Sequence, residues 1–140
     1  MNSFSLARPK SYTEAATMLR EKRWSLPVLK AGGMDLVDHL KEGLMEPDLL
    51  IDVKRLRAEG QNADIMTGSG GYHVIGAGAT LAAIAASPLV REQAPVIAQA
   101  CGDAATPQVR NVATAAGNLL QRPRCWYYRH AQFNCLKKGG

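Results

Sequence analysis

Val28-Leu29-Lys30-Ala31-Gly32-Gly33-Met34-Asp35-Leu36 is a short apolar run that breaks at a glycine pair and resumes at helical spacing, so it reads as a strand, a tight turn and a helix start. Gly32 and Gly33 can admit another backbone or a ligand, and the N–H groups that open the following helix have no partners within it. Such a loop suits an anion, above all a phosphate. A glycine pair standing alone also makes a plain turn, so the rest of the chain must choose between the two.

Working outward, residues 4–7 alternate well enough for a first strand that Arg8-Pro9 closes. Ser11-Tyr12-Thr13-Glu14 fits a capping box ahead of apolar Tyr12, Ala15, Ala16 and Leu19, which predicts a helix over 11–22. Pro27-Val28-Leu29 is the second strand. Met34, Leu36, Val37 and Leu40 carry a helix until Gly43, and Leu49-Leu50-Ile51-Asp52-Val53 is a short buried strand. Strands alternating with helices predict a βαβαβ lobe over 1–56, followed by a polar linker over 55–62.

The pattern then changes. Asp64-Ile65-Met66, the turn-rich Gly68-Ser69-Gly70-Gly71 and Tyr72-His73-Val74-Ile75 predict a hairpin that opens a second lobe near residue 63. Thr80 caps a helix over 81–86, Ser87-Pro88 repeats the cap signal, and Pro95 starts a helix to about Asp103. Gly76-Ala77-Gly78 lacks the third glycine of a dinucleotide fingerprint and follows a hairpin, so these residues are read as shaping the hairpin exit. The fold class is therefore mixed, α/β in the first lobe and α+β in the second.

The chain of 140 residues contains no long uncharged apolar run, and its N-terminal residues lack the basic leader and apolar core of a signal peptide. A cytoplasmic location follows, or export only together with a partner. A net charge of +5 favours an anionic ligand or partner without choosing among nucleotide, nucleic acid and acidic protein. The three cysteines, Cys101, Cys125 and Cys135, suit free thiols or metal ligation better than a disulfide framework. His39, His73 and His130 show no metal spacing, Asp35 and Asp38 read as solvated charge near a helix start, and Trp24 as packing in the first lobe.

Residues 104–120 are too small and polar for an ordinary helix and lack strand alternation, so they read as a ligand-shaped loop. Thr114, Asn118 and the backbone at Gly117 offer hydrogen bonds to phosphate and ribose, with Arg110 anchoring the loop or adding positive potential. Together, Ala31-Gly32-Gly33-Met34-Asp35-Leu36 and Arg110-Asn111-Val112-Ala113-Thr114-Ala115-Ala116-Gly117-Asn118-Leu119 resemble the FAD-binding subunit of molybdenum hydroxylases. That family includes xanthine dehydrogenase, aldehyde oxidoreductase and carbon monoxide dehydrogenase flavin modules, and the resemblance covers essentially the whole chain.

The resemblance implies an FAD-binding PCMH-type fold, with lobes at 1–56 and 63–121 and FAD between them. Its pyrophosphate would be held by Leu29, Lys30, Ala31, Gly32, Gly33, Met34, Asp35 and Leu36 and by Thr114, Gly117, Asn118 and Leu120. Where the family loop usually has Thr, Met34 removes a hydroxyl. It implies an FAD-dependent oxidoreductase subunit with no catalytic acid or base of its own. Electrons would pass from iron–sulfur clusters through the flavin, beside a molybdopterin-binding large subunit and a [2Fe–2S] small subunit.

Residues 122–140 resemble the insert by which one branch of the family binds an extra [4Fe–4S] cluster, Cys125 and Cys135 matching its first two ligands. A cluster takes four thiolates, so the set is incomplete here, and plain thiols are the competing reading. The family subunit runs on well past this length, so the chain is expected to be an N-terminal fragment. Two other functions stay open: an accessory fragment without flavin, or a nucleic-acid binder using Arg122, Arg124, Trp126, Tyr127, Tyr128, Arg129, Lys137 and Lys138.

Overall fold

The computed structural model describes residues 2–56, 64–130 and 132–139, so most of the predicted linker over 55–62 lies outside the described residues. The first unit is a parallel sheet of β1 (Ser5–Ala7), β2 (Pro27–Lys30) and β3 (Leu49–Asp52), in the order β1-β3-β2. The helices α1 (Tyr12–Arg20) and α2 (Met34–Lys41) make the crossovers. One crossover runs across the sheet and the next runs back, so right-handed connections place α1 and α2 on opposite faces. The central strand is therefore covered on both sides, and Leu49, Leu50 and Ile51 are all buried. Leu49 and Ile51 share a face with Ala15 and Leu56, and Met18, Leu19 and Trp24 pack against them.

Local chemistry fixes the ends of these elements. The Ser11 hydroxyl accepts from the Glu14 N–H at 3.0 Å, and the Glu14 carboxylate accepts from the Lys10 N–H at 2.6 Å, one residue earlier than a regular capping box requires. The Asp48 carboxylate accepts from Ser25 N–H (2.7 Å), Ser25 hydroxyl (3.0 Å) and Leu26 N–H (3.0 Å), which ties the approach to β2 to the start of β3. At the other end Lys30 and Asp52, register partners across β2 and β3, pair at 3.1 Å.

The second unit begins with an antiparallel pair separate from the first sheet, β4 (Ile65–Thr67) and β5 (His73–Ile75), with Ile65 opposite Ile75. Three helices follow: α3 (Leu81–Ala86), α4 (Pro88–Gln93) and α5 (Pro95–Asp103). Thr80 and Ser87 cap α3 and α4 through their hydroxyls, and Pro opens α4 and α5. Ala79, Leu81, Ile84, Val90 and Ala98 form the core, with Ile65, Ile75 and Cys101 packed against it.

The expectation of a helix-free loop over 104–120 is corrected. Two short helices occur there, α6 (Pro107–Arg110) and α7 (Ala115–Leu119), and each is opened by a threonine cap, Thr106 accepting from Val109 N–H and Thr114 from Gly117 N–H. Single turns made by a cap leave no apolar periodicity to detect. The chain ends in α8 (Trp126–Arg129) and a 3-10 turn at Leu136–Lys138.

The hydrogen bonds at Asp48 give a pH prediction. The Ser25 N–H, with the Leu26 N–H and the Ser25 hydroxyl, holds its carboxyl below the ordinary value against a smaller opposing effect of desolvation. At Asp52 burial pushes the carboxyl up, but the Lys54 N–H and the Lys30 ammonium outweigh it and the net direction is down. A carboxyl lowered in the folded state stabilises fully above its unfolded value of about 3.9, and that stability is lost as the pH falls through the folded value. Asp48→Asn should lower Tm at neutral pH and flatten the fall of Tm below about pH 4. Melting curves across the acid limb test this, and a parallel offset at every pH would contradict it.

Candidate functional site

A cleft of about 900 Å³ runs between the two units. Its first wall is the β2–α2 loop. Gly33 is the N-cap of α2 with φ +80°, a left-handed conformation that favours glycine, and no side chain caps the helix. The Val37 N–H donates to the Gly33 carbonyl at 2.9 Å, whereas the N–H groups of Met34, Asp35 and Leu36 find no acceptor among the described residues. These are donors left over from helix geometry, and the positive end of the helix dipole lies with them.

The second wall is the α6–α7 segment. Thr114 is buried and pairs as a β-bridge with Thr80. The Leu81 N–H donates to Ala113 O (3.0 Å), Ala115 N–H to Ala79 O (2.8 Å) and Ala116 N–H to Ala77 O (3.0 Å). Arg110 donates to the carbonyls of Ala104 and Ala105, both at 2.8 Å, so of its two expected roles it performs the anchoring one.

Gly32 joins the walls. A Cβ on this residue would overlap the Val112 carbonyl oxygen and lie 3.3 Å from the Ala113 Cα, so the two loops approach backbone to backbone where only glycine fits. The structure brings every predicted cofactor residue to one cleft: positions 29–36 from the first loop, and Thr114, Gly117, Asn118 and Leu120 from the second. A cleft beside this backbone contact, with a row of free N–H donors on one wall, suits the pyrophosphate of a dinucleotide. Ala77 and Gly78, read from sequence only as shaping the hairpin exit, also line the cleft, and Ala77 holds α7 in place. Their signal was the run of small residues itself.

The expectation that Asp35 and Asp38 are simply solvated is corrected. The Asp35 carboxylate accepts from the Arg122 N–H at 2.9 Å and lies 3.4 Å from the Arg129 guanidinium. Arg129 also donates to both Glu42 carboxylate oxygens at 3.1 Å, and lies 3.9 Å from Asp38. Arg124 approaches Asp38 at 3.7 Å. Asp35, Asp38 and Glu42 recur along one side of α2, and the segment after α7 docks on that side through Arg129. His39, which was assigned no role, is 3% exposed, lines the cleft and has an unpartnered Nε2 that lies 3.6 Å from Asp35.

The candidate metal ligands lie beyond this dock. Cys125 is the exposed N-cap of α8 and Cys135 is half-buried, while Cys101 sits on α5, where burial pushes its thiol up. No group of three or more His, Cys, Asp or Glu side chains placed to hold a metal ion occurs among the described residues. The cysteines present do not complete a four-thiolate set. The nucleic-acid reading loses its central cation, because Arg129 is spent on α2, and the Lys138 ammonium donates to the His130 carbonyl at 2.7 Å.

Residues 2–130 match the family described as the FAD binding domain in molybdopterin dehydrogenase. The chain is 37% identical over 138 residues to the aldehyde oxidoreductase FAD-binding subunit PaoB of Escherichia coli, covering 99% of this chain and 42% of that protein. It is 32% identical over 119 residues to the nicotinate dehydrogenase FAD-subunit of Eubacterium barkeri, covering 85% and 39%. Among solved structures, carbon monoxide dehydrogenase from Hydrogenophaga pseudoflava superposes with a TM-score of 0.76 at 33% identity, over 84% of this chain and 39% of that one. The chain thus spans about two fifths of the length of the relatives it matches. It belongs to the family of FAD-binding domains of molybdopterin dehydrogenases.

Proposed function

We propose that this chain is the pyrophosphate-gripping part of an FAD-binding electron-transfer subunit in a molybdenum-dependent hydroxylase. The observation that carries this is the backbone-to-backbone meeting of the two loops at Gly32 and Val112, along a cleft whose first wall presents unpartnered N–H groups. In this reading the N–H groups of Met34, Asp35 and Leu36 donate to one side of the pyrophosphate. Gly117 and Asn118 approach it from the other, and buried Thr114 fixes the turn that presents them. Met34 in place of a hydroxyl residue leaves the backbone donors as the main source of affinity on the first wall. Flavin held by these loops would supply the redox chemistry, electron transfer between iron–sulfur clusters and an acceptor. This chain's residues bind it, orient it and set its polarity.

The relatives are described as an FAD-subunit and an FAD-binding subunit, each one component of an assembly. By extension we propose a molybdopterin-binding large subunit and a [2Fe–2S] small subunit as partners, in the cytoplasm or carried out of it with a partner. Among the described residues no helix is long and apolar enough to cross a membrane.

The test is FAD binding by the 140-residue chain. Titration should quench flavin fluorescence and raise Tm, with about 2.7 kcal/mol of stabilisation at a ligand concentration a hundred times Kd. An unchanged Tm with no retained flavin would contradict the proposal. Gly32→Val forces a side chain into Val112 and should weaken FAD binding by more than about tenfold, a cost of about 1.4 kcal/mol or more. Thr114→Ala removes the α7 cap, which should cost about 0.5–2 kcal/mol of stability by chemical denaturation and weaken FAD binding as well.

A further inference from the structure

The opening of α2 carries two opposed charges. Its unpartnered N–H groups amount to about half a positive charge, which favours a phosphate. One residue into the helix stands Asp35 with a full negative charge and a side chain only 19% exposed, lining the same cleft. Left alone, that carboxylate would make the helix opening negative on balance and repel the anion it is built to receive. It is not left alone: the Arg122 N–H and the Arg129 guanidinium both reach it.

We infer that Arg129 is a positioning residue for the phosphate anion, because by pairing Asp35 it keeps the opening of α2 positive. This rests on the flavin reading above. The guanidinium is 13% exposed and held by the Pro123 carbonyl at 3.3 Å and by both oxygens of Glu42, so its place does not depend on Asp35. Of the other charges lining the cleft, Lys30 is engaged with Asp52, Arg124 approaches Asp38, Arg122 reaches Asp35 through its backbone N–H, and His39 Nε2 stands 3.6 Å from Asp35 without a hydrogen-bond partner. Arg129 lies between Cys125 and Cys135 in sequence, so the segment that carries these two cysteines also carries the cation that reaches Asp35.

A competing role is purely mechanical, with Arg129 holding the segment after α7 on α2 through Glu42. A double-mutant cycle separates the two. FAD dissociation constants are measured by flavin fluorescence for the wild-type chain, Arg129→Ala, Arg129→Lys, Asp35→Asn and Asp35→Asn/Arg129→Ala, at low and moderate salt. Arg129→Ala should weaken binding about tenfold at low salt, with the gap narrowing as salt screens the unpaired carboxylate. Arg129→Lys, which keeps the charge but not the paired contact with Glu42, should bind FAD more tightly than Arg129→Ala. In the Asp35→Asn background, Arg129→Ala should change Kd by less than about twofold, since there is no carboxylate left to neutralise.

An unchanged Kd for Arg129→Ala, or a loss equally large with Asp35→Asn already present, overturns the inference in favour of the mechanical role. Circular dichroism and melting curves establish that each variant is folded. If Arg129→Ala is not, Arg129→Gln, which keeps donors for Glu42 without charge, makes the same comparison. A wild-type chain that binds no FAD overturns the functional reading and this inference with it. A wild-type chain that binds FAD but shows a flat cycle overturns this inference alone.

Discussion

The approach of Gly32 to the Val112 carbonyl and the Ala113 Cα is the constraint on which the site depends. Two units with separate cores meet there with main chain against main chain, and the cleft is the space that remains on either side of that contact. Any side chain at position 32 would force the loops apart and widen the cleft across which the proposed pyrophosphate site is built. Each loop is in turn fixed by its own unit. The first is the end of a strand pinned to the buried β3, and the second is stitched to residues 77–81 by three backbone hydrogen bonds, two of which make the Thr80–Thr114 bridge. Neither unit makes the site alone.

Electrostatics refine what the backbone sets out. The cleft has cations on its rim, but several are already occupied, and what reaches an incoming anion is decided pair by pair. Lys30 is paired with Asp52, whose carboxyl is held low, and the acidic side of α2 is taken up by Arg129 and Arg124. Net charge therefore says little about this site.

The first lobe is legible in the sequence because its signals are strong and local. Short apolar runs bounded by proline and glycine give three strands, and a serine cap gives α1. The phosphate-suited loop is legible because strand, glycine pair and helix start follow one another directly. The second half is harder. Its helices α6 and α7 are single turns created by Thr106 and Thr114, and such turns have no period to read. Asp35 looks like any acid at a helix start until Arg122 and Arg129, 87 and 94 residues away, come to meet it. Ala77 likewise carries no chemistry of its own, and the fold reveals that its carbonyl holds α7. Long-range contacts between small or charged residues leave no trace in spacing, and these are what complete the cleft.

The central claim is that both loops grip one pyrophosphate. Amide NMR spectra of the labelled chain, recorded during an FAD titration, test it most directly. The account predicts that the N–H signals of Met34, Asp35 and Leu36 and those of Gly117 and Asn118 shift together with one common dissociation constant. Shifts confined to one loop, or two sets that saturate at different FAD concentrations, would contradict it.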